Sequence, residues 1–195
     1  MTDHNEQQPQ RSTPRWRPIV LGATIVIALV FATMLALSGV RQEARVKLSI
    51  NNCRQIAIGI QNYAAANDDL LPPSIEELIP YMIEGSGLPH ILDELLVSPM
   101  RPASDPADGY DYLLRTDLTT TRIADIGFPS STILALDAYM LACGHSTIAV
   151  ALADGTARRL TRAELRALCD APFLTQNHPL LELFEIDRWI PPQTP

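Results

Sequence analysis

The sequence predicts an α+β protein in which one long N-terminal helix, membrane-crossing in its first half and amphipathic in its second, packs on a small antiparallel sheet. Three observations carry this. Ile19–Val40 is a run of 22 residues without a charged side chain. Val46, Ile50, Cys53, Ala57, Ile60 and Ala64 then recur at spacings of three and four, the period of one helical face. Near the end of the chain, Ser146–Leu152 and Thr156–Leu160 alternate around Asp154-Gly155, and Asp-Gly between alternating runs signals a tight hairpin.

The chain has 195 residues, with 15 Lys and Arg against 22 Asp and Glu, a formal net charge of −7. That balance argues against a general nucleic-acid binder, because neutralising phosphates needs a basic surface. The 155 residues after Val40 are one domain's worth, with room for one modest core. Sixteen prolines against nine glycines predict short elements punctuated by stiff turns. Three cysteines are too few for a disulfide framework, and their odd number leaves at least one thiol unpaired within a monomer.

A helix over Ile19–Val40 is about 33 Å long, which matches a hydrocarbon layer of about 30 Å. Gly22, Thr24, Thr33, Ser38 and Gly39 in its interior suit a bilayer, because Ser and Thr hydroxyls can bond back to the preceding turn. Trp16, with Arg11, Arg15 and Arg17, stands where interfacial anchors belong. A secretory signal peptide is the rival reading, with Ala36 and Ser38 as a loose small-x-small cleavage pattern. Its apolar region runs only about 7–15 residues. Orientation stays open, since Met1–Pro18 carries three Lys or Arg and Arg41–Arg54 carries four, and the positive-inside count selects no side.

From Arg41 the chain runs to Ile58 without Gly or Pro, so the simplest reading is one continuous helix from about Ile19 to about Ala66. Ile56 and Tyr63 widen the apolar stripe. Arg45, Asn52, Arg54, Gln55, Gln61 and Asn62 lie largely away from it, so the stripe needs a partner surface along one side. Pro72-Pro73 ends the helix. Ser74-Ile75-Glu76-Glu77 is a capping box, opening a short helix to about Tyr81 or Met82. Pro89–Val97 predicts another, with Ile91, Leu92, Leu95 and Leu96 on one face. Gly109–Leu114 and Thr132–Asp137 read as strands. Thr161-Arg162-Ala163-Glu164 is a second capping box, for a helix to about Asp170. Beyond Pro172, Leu180, Leu181, Leu183 and Phe184 suit a last short helix. The chain thus divides into an N-terminal tail (1–18), a transmembrane helix (19–40), a soluble domain that begins with the helix continuation (41–171) and a C-terminal extension (172–195).

In this order the pieces resemble type IV pilins and type II secretion pseudopilins. Ala44–Tyr63, with Asn51-Asn52, Cys53, Gln55-Ile56 and an aromatic before Leu71-Pro72-Pro73, resembles the helix of the pseudopilin-like family whose C-terminal signature is His, about nine residues, then Asp-Gly. Ser74–Tyr81 resembles that family's second helix, Ser104-Asp105 with Gly109–Leu113 its middle strand, and Gly144-His145 with Leu152–Gly155 its closing hairpin. The likeness covers most of Ile19–Asp170. It implies a pilin-like α+β fold, a cytoplasmic N-terminus, a soluble domain outside the inner membrane, and partners among other pseudopilins or secretion-system proteins. Three positions depart from the pattern. Gly22 is followed by Ala23, with Ile27 in the place of the family's Glu, so the prepilin peptidase site is missing. Eight residues rather than nine separate His145 from Asp154. Ser98-Pro99 replaces the Cys-Pro pair often found in mid-family, which removes a disulfide partner for Cys53. The chain is similar to a degenerate or dedicated member.

Cys143 and His145 are two apart, so on a strand they would share a face, as a nucleophile and base or two metal ligands do. Zinc wants a third or fourth ligand, and nothing nearby supplies one. Cys53 on the apolar stripe reads as a buried small hydrophobe, and His90 and His178 have no partners that the sequence names. Asp105, Asp108 and Asp111, with Asp117 farther on, can converge in a loop and hold Ca²⁺, which takes oxygen ligands; the resemblance adds to this, since the major pseudopilins bind calcium in a C-terminal loop. These aspartates lack the Asp-x-Asp-x-Asp-Gly order of a dedicated loop and equally suit solvated turns. Asp154 serves the hairpin turn. The sequence contains no Gly-rich phosphate loop, His-Glu-x-x-His or Gly-x-Ser-x-Gly.

The function that follows is that of a single-pass protein of the bacterial inner membrane, structural or interacting, without catalytic activity or cofactor, and associated with a type II secretion or type IV pilus system. Its partners are the lipid bilayer and other pseudopilins, not nucleic acid. The alternatives are a membrane-anchored hydrolase using Cys143 and His145, and a calcium-stabilised binding module of the envelope.

Overall fold

The computed structural model describes residues 17–86, 92–102, 104–105 and 109–170. Trp16, Arg11, Arg15, His90, Asp108, His178 and the expected C-terminal extension lie outside the described residues. The chain forms two compact units, Met1–Gln42 and Glu43–Pro195. Its helices are α1 (Arg17–Ala66), α2 (Ile75–Ser86), α3 (Leu92–Leu95), α4 (Ala138–Ala142) and α5 (Arg162–Asp170).

Helix α1 is continuous over 50 residues. In the first unit every residue from Gly22 to Val40 is exposed, Phe31, Met34 and Leu37 among them. By length and composition this helix can cross a membrane. Its hydroxyls fold back on it: Thr24 Oγ1 donates to Val20 O (2.9 Å), Thr33 Oγ1 to Leu29 O (2.7 Å) and Ser38 Oγ to Leu35 O (2.7 Å). No hydroxyl of the three would be left unpaired in hydrocarbon.

The second unit is an α+β layer structure. Strands β1 (Tyr112–Leu114), β2 (Ile133–Asp137), β3 (Thr147–Leu152) and β4 (Ala157–Thr161) lie side by side in chain order, every neighbouring pair antiparallel. The β3–β4 turn is the one that Asp154-Gly155 predicts. Gly155 has φ +82°, and Asp154 Oδ1 accepts from Thr156 N (3.0 Å) and Thr156 Oγ1 (2.6 Å).

The two faces of β3 carry side chains of different size, and that decides what packs where. Ala149 and Ala151 join the core formed with Val46, Cys53, Ile56, Ala57 and Ile60 of α1, because a methyl-sized surface lets a helix come close. Ile148, Val150 and Leu152 pack instead with Leu141, Leu160 and Leu165 of α5. Strand β2 is buried at every position, as expected of a strand covered on both faces. Its register shifts between Ile133 and Ala135. The irregularity puts consecutive Leu134 and Ala135 in the α1 core while Ile133 and Leu136 join the α5 core.

Several boundaries differ from those read in the sequence. Helix α1 ends at Ala66, the end read in the sequence, but a turn before Pro72-Pro73, and not the prolines, ends it. Asp68 and Asp69 adopt φ of 54° and 64°, Asp69 N donates to Ala64 O (2.9 Å) and Asn67 Nδ2 to Tyr63 O (2.8 Å), which satisfies carbonyls of the last turn. Helix α2 runs past Met82 with Pro80 inside it, losing one backbone hydrogen bond there. Helix α3 ends at Leu95 rather than Val97, its expected start at Pro89 lying outside the described residues, and β1 starts at Tyr112 rather than Gly109. Helix α4 was not expected at all.

The two capping boxes fare differently. Thr161 N and Oγ1 donate to Glu164 Oε2 (2.7 and 2.8 Å), and Glu164 N donates to Thr161 Oγ1 (3.2 Å). These bonds hold the Glu164 carboxyl below its ordinary value. At α2 only half a box forms. Glu77 N donates to Ser74 Oγ (3.4 Å), but the Glu77 carboxylate accepts from Tyr63 OH (3.3 Å). Glu76 takes its place: its own backbone amide, then Ser74, lower its carboxyl pKa.

Helix α2 lies against α1 at Gly59, where a Cβ would sit 2.5 Å from Met82 Cγ and 3.3 Å from Leu78 Cδ1. Gly59→Leu is therefore expected to cost about 1–3 kcal/mol by overpacking, seen as a lower urea midpoint of the full chain in detergent. An unchanged midpoint would mean that α2 is free to move away.

Candidate functional site: a buried carboxylate beneath the helix

Asp137 ends β2 and caps α4, and its Oδ1 accepts from Met140 N (2.9 Å), as an N-cap acid does. Its Oδ2 accepts from Ser49 Oγ of α1 (2.5 Å) and from Ser98 Oγ (2.7 Å), three residues beyond α3. Tyr112 OH of β1 donates to Ser49 Oγ (3.4 Å) and is also hydrogen-bonded by Asn52. Asp137, Ser49 and Cys53 are all 0% exposed. Burial raises the Asp137 carboxyl above its ordinary range, while Ser49, the Met140 amide and Ser98 pull it back and the Asp111 charge pushes it up again. Burial, then the Asp137 charge, drives the Cys53 thiol well up. The same two causes raise the Tyr112 hydroxyl.

A second acid adjoins the first. Asp111 Oδ2 accepts from Ser98 N (2.8 Å) and Arg101 Nε (2.9 Å), and the other guanidinium arm of Arg101 pairs with Oδ1. The backbone of Asp111 joins both sides: its N donates to Leu96 O (2.9 Å) and its O accepts from Ala138 N (2.8 Å). Arg101 also pairs with Asp105 (3.1 Å) and lies 4.6 Å from the Tyr139 ring centroid, within cation–π range.

Chemically, the cluster gathers a hydroxyl, a thiol and a carboxyl where solvent does not reach. Ser49 and Ser98 spend their protons on Asp137, and the raised Cys53 stays a thiol. The arrangement ties α1 to β1, β2 and the segment after α3 through hydrogen bonds that burial makes costly to break. Beside it a groove of about 640 Å³ is lined by Leu48, Asn51, Asn52, Leu95, Val97 and Pro99 among others.

The pair Cys143 and His145 does not lie on a strand, which corrects the shared-face expectation. Cys143 is the C-cap of α4, Gly144 turns with φ +73°, and β3 begins only at Thr147. Cys143 is exposed. Its hydrogen bond to Tyr139, then burial, pushes the Tyr139 hydroxyl up to about 12. The His145 backbone is engaged at both ends, its N donating to Met140 O (3.1 Å) and its O accepting from Arg162 Nε (2.9 Å). His145 and Asp154 stand at opposite ends of β3.

Of the proposed calcium residues, Asp105 and Asp111 share Arg101, Asp108 lies outside the described residues, and Asp117 pairs with Arg115 (2.9 Å). Each of the three described acids thus already has a guanidinium partner, Asp105 and Asp111 sharing one. Among the described residues no group of three or more His, Cys, Asp or Glu could hold a metal ion. The melting temperature of the full chain is accordingly expected to agree within about 1 °C with EDTA or with millimolar calcium. A rise with calcium that Asp105→Asn abolishes would contradict this.

Sequence reasoning missed Asp137, Ser49, Ser98 and Arg101 as partners. Ser49 follows Val46 by three and precedes Cys53 by four, so it fits the stripe as well as Ile50 does; the structure buries Ser49 and half-buries Ile50. Asn52 and Gln61, placed away from the stripe, also turn inward: Asn52 is buried, and Gln61 Nε2 donates to Ala153 O (2.8 Å). The available signal for Asp137 was an acid between an apolar strand and Ala138-Tyr139-Met140-Leu141-Ala142, an N-cap pattern.

The geometry defines an α+β domain built on the amphipathic half of a long helix and fastened to it by a buried carboxylate. No protein-family model, curated protein or solved structure matches the chain.

Proposed function

We propose that the protein is a single-pass, membrane-anchored, pseudopilin-like component of the bacterial cell envelope with a structural or interaction role and no catalytic activity. The observation that carries this is the change of exposure along α1. Its residues from Gly22 to Val40 are apolar and exposed, whereas Val46, Cys53, Ile56, Ala57 and Ile60 are buried in the core of the second unit. The pilin-like plan is supported by the order of elements, a long N-terminal helix followed by an antiparallel sheet that closes on the Asp154-Gly155 hairpin. In this reading the apolar run sits in the inner membrane, the N-terminus is cytoplasmic and the second unit is outside the cytoplasm. Partners are the bilayer and other pseudopilins or secretion-system proteins. The non-enzymatic role is supported by the closure of Ser49, Cys53 and Asp137 to solvent, since a nucleophile must meet its substrate.

A photo-crosslinking residue at Leu48 or Ile58, apolar positions of α1 that stay exposed, tests the reading in cells. Adducts with a second membrane-anchored helical protein, or with another copy of the chain, are expected. Turnover of an ester or peptide panel by the full chain, lost on Cys143→Ala, would replace this reading with the hydrolase.

A further inference from the structure

Charge is segregated along the chain. Residues 67–140 carry thirteen Asp or Glu against three Lys or Arg, whereas 41–66 carry four Lys or Arg against one Glu and 157–166 four Arg against one Glu. The fold joins the two basic stretches, because Arg159 of β4 reaches Glu43 of α1 at 3.2 Å. Glu43 is three residues beyond Val40, the last residue of the charge-free run. Three residues span at most about 11 Å, so connectivity alone keeps Glu43, and with it the guanidinium of Arg159, close to the end of the charge-free run. Arg45, Lys47, Arg158 and Arg159 are all exposed. Glu43 is paired with Arg159, and Glu164 feels the charge of Arg158. Among the described residues Arg45 and Lys47 have no ion-pair partner.

Resting on the membrane-anchor reading above, we propose that Arg45, Lys47, Arg158 and Arg159 form a headgroup-binding face at the edge strand β4, with Arg159 on the α1 side of the sheet and Arg158 on the α5 side, that docks the second unit on anionic lipid. Juxtamembrane cations are drawn to an anionic surface, and the attraction fades over a Debye length of about 10 Å at 0.1 M salt. The distance set by connectivity for Glu43, at most about 11 Å, is about one such length. The acid-rich stretch 67–140 is repelled by the same surface, so the charge pattern also favours one orientation over others. A neighbouring copy could offer acids to this face, but proximity to the anchor favours lipid.

The test uses the full chain in nanodiscs of phosphatidylcholine alone or with about one-third phosphatidylglycerol, with amide exchange followed over β4. Exchange over 157–161 is expected to slow by about threefold or more in the anionic discs, and the difference to vanish in about 0.5 M salt. The variant Arg45→Gln/Lys47→Gln/Arg158→Gln, which leaves the core untouched, is expected to show no lipid dependence. Equal exchange in both discs overturns the proposal. So does protection that follows the number of copies per disc whatever the lipid, which assigns the face to a second copy. Flotation separates this from failure of the anchor reading: a chain that does not float with neutral vesicles overturns the anchor, while one that floats with both kinds yet exchanges equally overturns only the headgroup face.

Discussion

Asp137→Ala is expected to destabilise the folded unit by about 3–5 kcal/mol, because it removes the acceptor of three donors at once and the cap of α4. The Ser49 and Ser98 hydroxyls and the Met140 amide point at this carboxylate, and no water reaches it to substitute. For a chain of this size the melting temperature should fall by about 10 °C or more. Asp137→Asn keeps the shape, and the serine hydroxyls can turn to accept from the new amide, so a loss of about 1 kcal/mol is expected. Melting followed by circular dichroism in detergent checks both. A shift for the alanine variant below about 2 °C would mean that the network holds nothing together.

The same carboxyl gives the protein a pH dependence opposite in sign to that of its helix caps. Burial raises the folded Asp137 pKa above the ordinary 3.8, so the folded chain keeps a proton that the unfolded chain has released. Stability from that proton is full below the unfolded value and lost as pH rises through the folded one. Glu76 and Glu164, lowered from 4.5, behave in reverse: their contribution is present above 4.5 and lost as pH falls through their folded values. Between neutral pH and about pH 5 the cap acids stay ionised. As pH falls from neutral toward 3.8 the wild-type chain is expected to gain stability relative to Asp137→Asn, whose side chain does not titrate; the cap acids are common to both chains and cancel in the difference. A constant difference between the two would contradict the raised pKa.

Ala149→Leu combined with Ala151→Leu is expected to cost about 3–5 kcal/mol. Both alanines are fully buried and share the core with α1. One such insertion costs about 1–3 kcal/mol, and two that press the same helix do not simply add. Strand β3 is held between β2 and β4 and cannot yield, so α1 must lift, taking Ser49 away from Asp137. Ala163→Leu on the exposed side of α5 should change stability by less than about 0.5 kcal/mol. Urea titration of the two variants separates a steric effect from a general dislike of leucine.

What the sequence disclosed follows from how local the determining physics is. The span of α1 was legible because twenty-two charge-free residues and a run without Gly or Pro need no knowledge of the rest of the chain. The β3–β4 hairpin and the Thr161 cap were legible for the same reason, since turn and cap are made by residues within four positions of one another. The buried cluster was not, because Ser49 and Asp137 are 88 residues apart and each looks ordinary alone. Asp137 read as the last residue of a strand; only the approach of α1 and of Ser98 makes it the centre of a network. Asn52 and Gln61 were assigned to the solvent side by polarity, and the hydroxyl of Tyr112 and the carbonyl of Ala153 drew them in. Cys143 and His145 seemed aligned only under the assumption of a strand, and the turn at Gly144 removes it.

The most direct measurement is alkaline carbonate extraction of bacterial membranes containing the full chain, beside the variant Val26→Lys/Leu29→Lys/Val30→Lys. Each lysine near the centre of a spanning helix costs about 2.5–3.5 kcal/mol of insertion free energy. The wild-type chain should remain in the membrane pellet at its full mass, and the variant should leave with the soluble fraction. Wild-type protein recovered in the carbonate supernatant would show that Ile19–Val40 does not hold the domain to a bilayer.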